Sequence, residues 1–236
     1  MRCLVAALLL SVALGLRAQE KEFYFTMDEM PDLVKCLPAP PDTTGDYFTY
    51  DIKRYMWGKE QRHNKARAEL AEKDAVWTLD ALIAQFNDSF GMVISPETTP
   101  EIYRLVINGV STIEQIRVRP KAHFHRKRPF ERFNEPVLNE WETKDLRGEG
   151  SYPSGHTIRG WSIALLLTEV NPDAANALFK RGWEYGESRV ITGAHWQSDV
   201  DMSRAAASIG YAKLQTSPAF REQVKKAQKE FKKLSK

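Results

Sequence analysis

Residues 150–157, Gly150-Ser-Tyr-Pro-Ser-Gly-His-Thr157, run directly into the apolar segment Ile158-Arg-Gly-Trp-Ser-Ile-Ala-Leu-Leu-Leu167. This compact apolar segment predicts a helix over Gly155–Val170, which Asn171-Pro172 ends because proline disfavours helical backbone in the residue before it. Other segments have helical spacing too, and the sequence contains no repeat and no convincing alternating strand. We therefore predict an all-α protein with a single helical domain over residues 46–236.

Further helices are predicted from cap residues and from apolar spacing. Thr99-Pro100-Glu101 is a helix start, with threonine as the cap and proline in the first turn, and Ser217-Pro218 starts a C-terminal helix. Helical composition also extends through Asp51–Leu70 and Val76–Phe90. Phe130–Gly150 is polar and has no sustained period, which predicts a long excursion over the face that carries the site.

Residues 1–18 have the composition of a secretory signal peptide. Arg2 precedes an uncharged apolar run that ends at Leu16, and Leu16-Arg17-Ala18 suits cleavage. The run is too short to span a bilayer comfortably, and an uncleaved anchor is the alternative. Residues 19–45 are proline-rich around Leu37-Pro38-Ala39-Pro40-Pro41, which predicts an extended arm or a wrapping loop. We expect a periplasmic or secreted protein.

Charge and cysteine content exclude several classes of protein. Cleavage removes Arg2 and Arg17 but no acidic residue, so the formal net charge falls from +3 to +1. So small a charge gives no general attraction to nucleic acid or to anionic membranes. Cleavage also leaves Cys36 as the one cysteine, which excludes an internal disulfide and zinc held by several cysteines. No run of about 20 apolar residues follows residue 18, so stable membrane insertion is not expected.

The start of the predicted helix at Gly155 has the properties of an anion site. A helix N-terminus presents unpaired backbone N–H groups and the positive end of the helix dipole. Gly155 allows an oxyanion to approach the backbone, and Ser154 can add a hydroxyl donor. His156 lies where it could protonate a departing oxygen. Taken alone, these residues could equally be an ordinary helix cap with an unrelated histidine.

Two further blocks carry charged residues at suggestive spacings. Lys121 and Arg128, the latter followed by Pro129, are seven residues apart, which on one helix places both cations on one face. Arg189, in Ser188-Arg189, supplies a third cation. His195 and Asp199 are four residues apart, so on a helix the carboxylate would fix the tautomer of the imidazole. Each block alone is also compatible with a solvated surface.

Together the three blocks predict metal-free phosphoryl transfer. Three cations, helped by Ser154 and Gly155, would neutralise phosphoryl oxygens, and His195 would attack phosphorus to form a phosphohistidine. His156 would protonate the leaving alcohol and then activate water. This chemistry needs no cofactor and no Mg²⁺. It predicts an acidic to near-neutral pH optimum, because it needs His195 neutral and His156 protonated and the reference pKa of histidine is about 6.5.

The blocks Lys-x6-Arg-Pro, Pro-Ser-Gly-His and Ser-Arg-x5-His-x3-Asp resemble the type 2 phosphatidic acid phosphatase and vanadium haloperoxidase superfamily. Gly150–Thr157 and His195–Asp201 are more narrowly similar to the bacterial class A non-specific acid phosphatases, and the likeness extends from Leu37 to the C-terminal helix. The resemblance implies the all-α fold of that superfamily, hydrolysis of many small phosphomonoesters, phosphotransfer to added alcohols and a homo-oligomer.

Three other functions stay open at this point. A vanadate-dependent haloperoxidase would use a similar pocket for vanadate, and bromide oxidation with added vanadate would identify it. A membrane lipid phosphatase is disfavoured by the lack of a long apolar run. A non-enzymatic binding protein would keep its function when His195 is replaced by alanine.

Overall fold

The computed structural model describes residues 22–236, so the predicted signal peptide, residues 1–18, lies outside the described residues. Within the described part the chain is helical and contains no strand, in agreement with the predicted all-α fold. It has thirteen α-helices: α1 Leu33–Cys36, α2 Asp46–Gln61, α3 Lys65–Lys73, α4 Leu79–Ala84, α5 Asn87–Phe90, α6 Pro100–Glu114, α7 Val118–Phe124, α8 Pro129–Phe133, α9 Glu140–Leu146, α10 Gly155–Val170, α11 Ala175–Ile191, α12 Gln197–Leu214 and α13 Pro218–Leu234. Two short 3₁₀ helices cover Gln115–Arg117 and Pro172–Ala174.

Helix α10 lies at the centre of the core and packs against α6, α11 and α12. Its predicted bounds are confirmed, and twelve of its sixteen residues are buried. Gly160 allows α11 to approach, because a Cβ at this position would lie 2.5 Å from the ring of Tyr185. The predicted start of α6 at Pro100 and of α13 at Pro218 is also confirmed. The turn that precedes α10, which contains Ser154, is therefore attached to a largely buried helix.

Residues 22–45, the described part of the proline-rich arm, pack over the helices, in agreement with the predicted wrapping loop. The backbone N–H of Tyr24 donates to Oγ1 of Thr112 at 3.1 Å, and the Tyr24 ring packs edge-on against Phe220. Further along, the carbonyl of Pro38 accepts a hydrogen bond from the Tyr152 hydroxyl at 2.7 Å. That contact fastens the arm to the loop that precedes α10.

Three predicted segments contain shorter or additional helices than the sequence pattern indicated. The helical segment Asp51–Leu70 is interrupted around Arg62–Asn64, and Val76–Phe90 contains only the short helices α4 and α5. Phe130–Gly150 was predicted as an excursion without regular structure, but it contains most of α8 and all of α9. Across residues 22–236, none of the helices combines the length and the apolar composition needed to cross a bilayer.

Candidate active site

One cavity of about 220 Å³ opens where α7 and α9 meet the loops that precede α10 and α12. Five of the eight predicted site residues line this cavity: Lys121, Arg128, Gly155, His156 and His195. The other three lie directly behind the lining. Ser154 adjoins Gly155, Asp199 contacts His195, and Arg189 contacts the cavity residue Glu142. The structure thus brings all three sequence blocks to one place.

The tautomer of His195 follows from its neighbours. Its Nε2 lies 3.0 Å from Nη1 of Arg128, and because a guanidinium can only donate, Nε2 must accept with its lone pair. The ring proton is therefore on Nδ1, which is 3.5 Å from Oδ2 of Asp199 and 3.4 Å from Oγ of Ser151. Nε2 is the nitrogen that can act as a nucleophile.

The predicted placement of His195 and Asp199 on one helix is wrong. Helix α12 begins at Gln197, so His195 precedes it, and only Asp199 lies in its first turn. Asp199 Oδ2 accepts a hydrogen bond from the backbone N–H of Trp196 at 2.9 Å, which caps the helix. The two side chains still meet because the chain turns into the helix between them.

Asp199 is held as a carboxylate by a buried arginine. Burial alone would raise the pKa of this carboxyl, but Arg126 and hydrogen bonds from His195 and Ser151 outweigh it, so its pKa lies well below the usual value. The Ser151 hydroxyl donates to Oδ2 at 2.5 Å, and Arg126 contacts Oδ1. Arg126 also binds Oδ2 of Asp51 at 2.7 Å, which links the site to α2. Asp199 is therefore negative at every pH at which the protein would work.

His195 itself is neutral. Burial lowers its pKa well below the usual value, and the charge of Arg128 lowers it further, whereas Asp199 opposes the shift only in part. A neutral ring whose Nε2 carries no proton is the form that a nitrogen nucleophile requires.

Lys121 and Arg128 line the same cavity, but not on one helix face as predicted. Helix α7 ends at Phe124, His125 adopts a left-handed conformation with φ of 42°, and Arg128 is the extended residue before α8. The two cations converge because both bind the turn before α10. Nζ of Lys121 donates to the carbonyl of Gly150, and Arg128 donates to the carbonyls of Glu149 at 3.1 Å and Ala194 at 2.9 Å.

Both cations donate hydrogen bonds to neutral acceptors, and the ion pair of Arg128 with the largely exposed Glu149 is 3.9 Å long, so much of their positive charge is uncompensated. Burial, together with the charges of Arg128 and Arg117, lowers the pKa of Lys121 to about 7. Burial also lowers the pKa of Arg128 to about 10, and Arg189 contributes in the same direction. A group of crowded, partly desolvated cations attracts a dianion strongly.

Ser154 and Gly155 form the start of α10, as predicted. Ser154 is the cap: its Oγ accepts from the backbone N–H of Thr157 at 3.3 Å and from the Thr157 hydroxyl at 3.0 Å. Ser154 is 0% exposed and does not itself line the cavity, so its role as a ligand of the phosphoryl group stays a prediction. A Cβ on Gly155 would lie 3.1 Å from both Arg117 and the Trp77 ring, so glycine keeps this corner of the cavity open.

His156 lines the cavity beside the Trp77 ring, with the two ring centroids 4.6 Å apart. Its Nε2 donates to the carbonyl of Ala75 at 3.0 Å, because a carbonyl can only accept. Nδ1 is then the nitrogen free to exchange a proton. Burial lowers the pKa of His156 well below the usual value, with Arg189 as the next cause, so the ring is neutral near pH 7.

Sequence reasoning missed several residues that shape the cavity. Arg126 and Ser151 fall inside the quoted blocks and could have been identified by their positions. Arg117 lies one turn before Lys121 and lines the cavity together with Lys121 and Arg128, a placement that helical spacing could have suggested. Glu142 had no sequence signal, because it lies in the stretch without a period. In residues 22–236, no group of three or more His, Cys, Asp or Glu side chains is arranged to hold a metal ion.

Comparison with known proteins agrees with this geometry. The profile of the PAP2 superfamily matches residues 103–216, which include all three blocks. A non-specific acid phosphatase of Providencia stuartii is 39% identical over 215 residues, which cover 91% of this chain and 86% of the relative. A non-specific acid phosphatase of Salmonella typhimurium is 36% identical over 230 residues, 97% of this chain and 92% of the relative. An acid phosphatase of Zymomonas mobilis is 34% identical over 195 residues, 83% and 74% of the two chains.

The helical fold and the matched region define a PAP2-type protein. The similarity over nearly the full length of these relatives is narrower, and the chain belongs to the bacterial non-specific acid phosphatase family within that superfamily.

Proposed function

We propose that the protein is an acid phosphatase that hydrolyses a broad range of phosphomonoesters through a phosphohistidine at His195. The observation that carries this proposal is the arrangement around that ring. Arg128 fixes the lone pair on Nε2, and Asp199 lies on the opposite, protonated side of the imidazole. An oriented neutral nucleophile inside a group of cations is the combination that phosphoryl transfer needs.

In the first step the phosphoryl oxygens bind Lys121, Arg128 and Arg189, with Ser154 and the Gly155 amide as further donors. Nη1 of Arg128 transfers its hydrogen bond from Nε2 of His195 to a phosphoryl oxygen, which frees the lone pair of Nε2. Nε2 then attacks phosphorus, the N–P bond forms and the ester P–O bond breaks. Asp199 stabilises the imidazolium, because its low pKa keeps it negative. The leaving alkoxide takes a proton from His156 and departs as an alcohol.

In the second step neutral His156 removes a proton from water, and the hydroxide attacks phosphorus. The N–P bond breaks, inorganic phosphate is formed, and His156 again carries its proton. An added alcohol in place of water would give phosphotransfer. The fixed cations supply the charge neutralisation, so we propose that turnover requires no metal ion and no cofactor.

The lowered pKa of His156 bears on the pH dependence. The first step needs His156 protonated, whereas the free protein holds it neutral at pH 7. A bound dianion favours the protonated form, and a lower pH does so as well. An acidic optimum follows from both effects. Export to the periplasm and self-association stay predictions, since they rest on the sequence and on the family resemblance.

The test is hydrolysis of an aryl phosphate in excess chelator, comparing wild type with His195→Ala. We expect wild-type activity to survive chelation, and the substitution to lower kcat by roughly 10³-fold or more. Wild-type turnover mixtures quenched in alkali should contain a phosphoramidate that is labile in acid and absent from the variant. Activity that requires a metal and survives the substitution would overturn the proposal. Vanadate should inhibit, and bromide oxidation supported by vanadate would instead favour a haloperoxidase.

A further inference from the structure

Arg189 is already paired with an anion in this structure. Its Nη2 contacts Oε1 of Glu142, and the two side chains are 0% and 4% exposed. Arg189 lies in the last turn of α11, and Glu142 lies in the first turn of α9, the helix within Phe130–Gly150 that the sequence did not predict. The contact therefore connects Arg189, which is proposed to bind phosphate, with the short helix α9 beside the cavity.

The pair leaves much of its hydrogen-bonding capacity unused. Within the described residues, Nε and Nη1 of Arg189 and Oε2 of Glu142 are buried and have no hydrogen-bond partner. Burying a polar atom of a charged group without a hydrogen-bond partner costs free energy. Such atoms are rare in folded proteins, and they often mark a place where a ligand binds. A phosphoryl group carries several acceptor oxygens and would satisfy the planar guanidinium better than one carboxylate oxygen does.

Glu142 is also close to the proposed position of the phosphoryl group. It lines the same cavity as Lys121, Arg128 and His195. Arg189 is close enough to this group to lower the pKa of both His156 and Arg128. A phosphoryl dianion held by these cations would lie next to the Glu142 carboxylate, and two anions at that separation repel each other in a poorly solvated site.

We propose that Glu142 is an internal anion that competes with the phosphoryl group for Arg189. The carboxylate holds the guanidinium before substrate binds, gives way when the phosphoryl group arrives, and helps to expel inorganic phosphate at the end of turnover. Helix α9 carries this carboxylate and moves with it. This inference rests on the proposed function, because it takes Arg189 to be a phosphoryl ligand.

A fixed structural role for the pair leads to the opposite expectation. If Glu142 only positioned Arg189 for binding, its loss would leave a misplaced cation and weaken the binding of phosphate. Competition requires that the loss of the carboxylate charge strengthen it. The sign of the change in phosphate affinity therefore separates the two roles.

The experiment compares Glu142→Gln with wild type and with Glu140→Gln. Glutamine keeps the size of the side chain and removes its charge, and Glu140 is an exposed residue of the same helix. We expect the inhibition constant of inorganic phosphate, measured against an aryl phosphate, to fall about tenfold in Glu142→Gln and to stay within about twofold of wild type in the control. The rate of phosphate release should fall too.

Direct binding gives a second measurement that does not depend on turnover. Saturating inorganic phosphate should raise the melting temperature of Glu142→Gln by more than that of wild type, because a tighter ligand stabilises the folded state further. An unchanged or raised inhibition constant in Glu142→Gln, with wild type active and inhibited by phosphate, would overturn this inference alone. A wild type that neither hydrolyses the ester nor binds phosphate would overturn the proposed function along with it.

Discussion

Two of the buried arginine–carboxylate groups beside the cavity differ in how many of their polar atoms have hydrogen-bond partners. Arg126 binds Asp199 and Asp51, and it donates to the Ser198 hydroxyl at 2.8 Å. Asp51 in turn accepts from the backbone N–H of Ser198 at 2.8 Å. Each carboxylate oxygen of this first group therefore has a donor. The Arg189–Glu142 pair, by contrast, has one contact and three buried atoms without a partner in the described chain.

The difference shows what each group can do. A fully hydrogen-bonded buried group is costly to rearrange, because each broken contact leaves a desolvated charge behind. The Arg126 group therefore suits a role that must not change during turnover, the orientation of His195. An arginine with unused donors gains hydrogen bonds when an anion with more acceptor oxygens binds. Arg189 is therefore suited to exchange the Glu142 carboxylate for a phosphoryl group.

Breaking the fixed group should have the largest effect. In Asp199→Asn the amide can donate to Nδ1 of His195, which moves the ring proton to Nε2 and removes the nucleophilic lone pair. We expect kcat for an aryl phosphate to fall by about 10³-fold or more. Asp201→Asn is the control, since Asp201 pairs with Arg204 at 2.8 Å and is 39% exposed. Comparable losses in both variants would show that orientation of the ring is not the cause.

The comparison also shows which features a sequence can predict. Helix α10 and the starts of α6 and α13 were predicted correctly because proline and cap residues act on their own neighbours in the chain. The tautomer-fixing contact of His195 with Asp199 was expected from spacing, although the helix assumed for it was wrong. Local signals thus gave the fold class and the motif residues.

The two arginine groups could not be found in this way. Asp51 and Ser198 are joined across 147 positions, and Arg189 and Glu142 across 47. Such contacts form because of the way the helices pack, and the spacing of residues within one helix does not indicate them. The left-handed residue His125 is a further case, since a single backbone conformation ended a helix that the spacing of Lys121 and Arg128 had assumed.

Lys121 differs from both arginines, because within the described residues its Nζ donates to the carbonyl of Gly150 and to no carboxylate. Its pKa of about 7 means that the free protein loses this charge as the pH rises through that value. We expect kcat/KM to fall by about tenfold per pH unit above the transition, because this ratio reports ionisation of the free enzyme. Lys121→Arg should lack this alkaline decline, whereas Lys127→Arg, at an exposed position, should keep it. A decline that persists in Lys121→Arg would assign it to another group.

The same shift has a consequence for stability. Between about 7 and the ordinary lysine value of 10.5, the unfolded chain binds a proton that the folded protein does not. The free energy of unfolding should therefore gain a contribution that increases with pH over this window. Unfolding in urea at several pH values should show that Lys121→Met lacks this contribution. An equal rise in both proteins would contradict the lowered pKa.

The smallest expected effects concern the turn before α10, in which two serines have different roles. Ser151 donates to Asp199 and belongs to the fixed group, whereas Ser154 caps α10 and is proposed to donate its hydroxyl proton to the phosphoryl group. Ser154→Ala should lower the free energy of unfolding by about 1 kcal/mol. If Ser154 donates to the phosphoryl group, the loss of that hydrogen bond to a charged ligand should also raise KM by about tenfold.

Ser217→Ala is the matched control, because Ser217 caps α13 in the same way, with its Oγ 3.3 Å from the backbone N–H of Phe220. It should lose similar stability in chemical denaturation and leave KM unchanged, since α13 does not line the cavity. If Ser154→Ala matched this control in both respects, Ser154 would be a helix cap only. The anion site at the start of α10 would then depend on the Gly155 amide and on the cations around it.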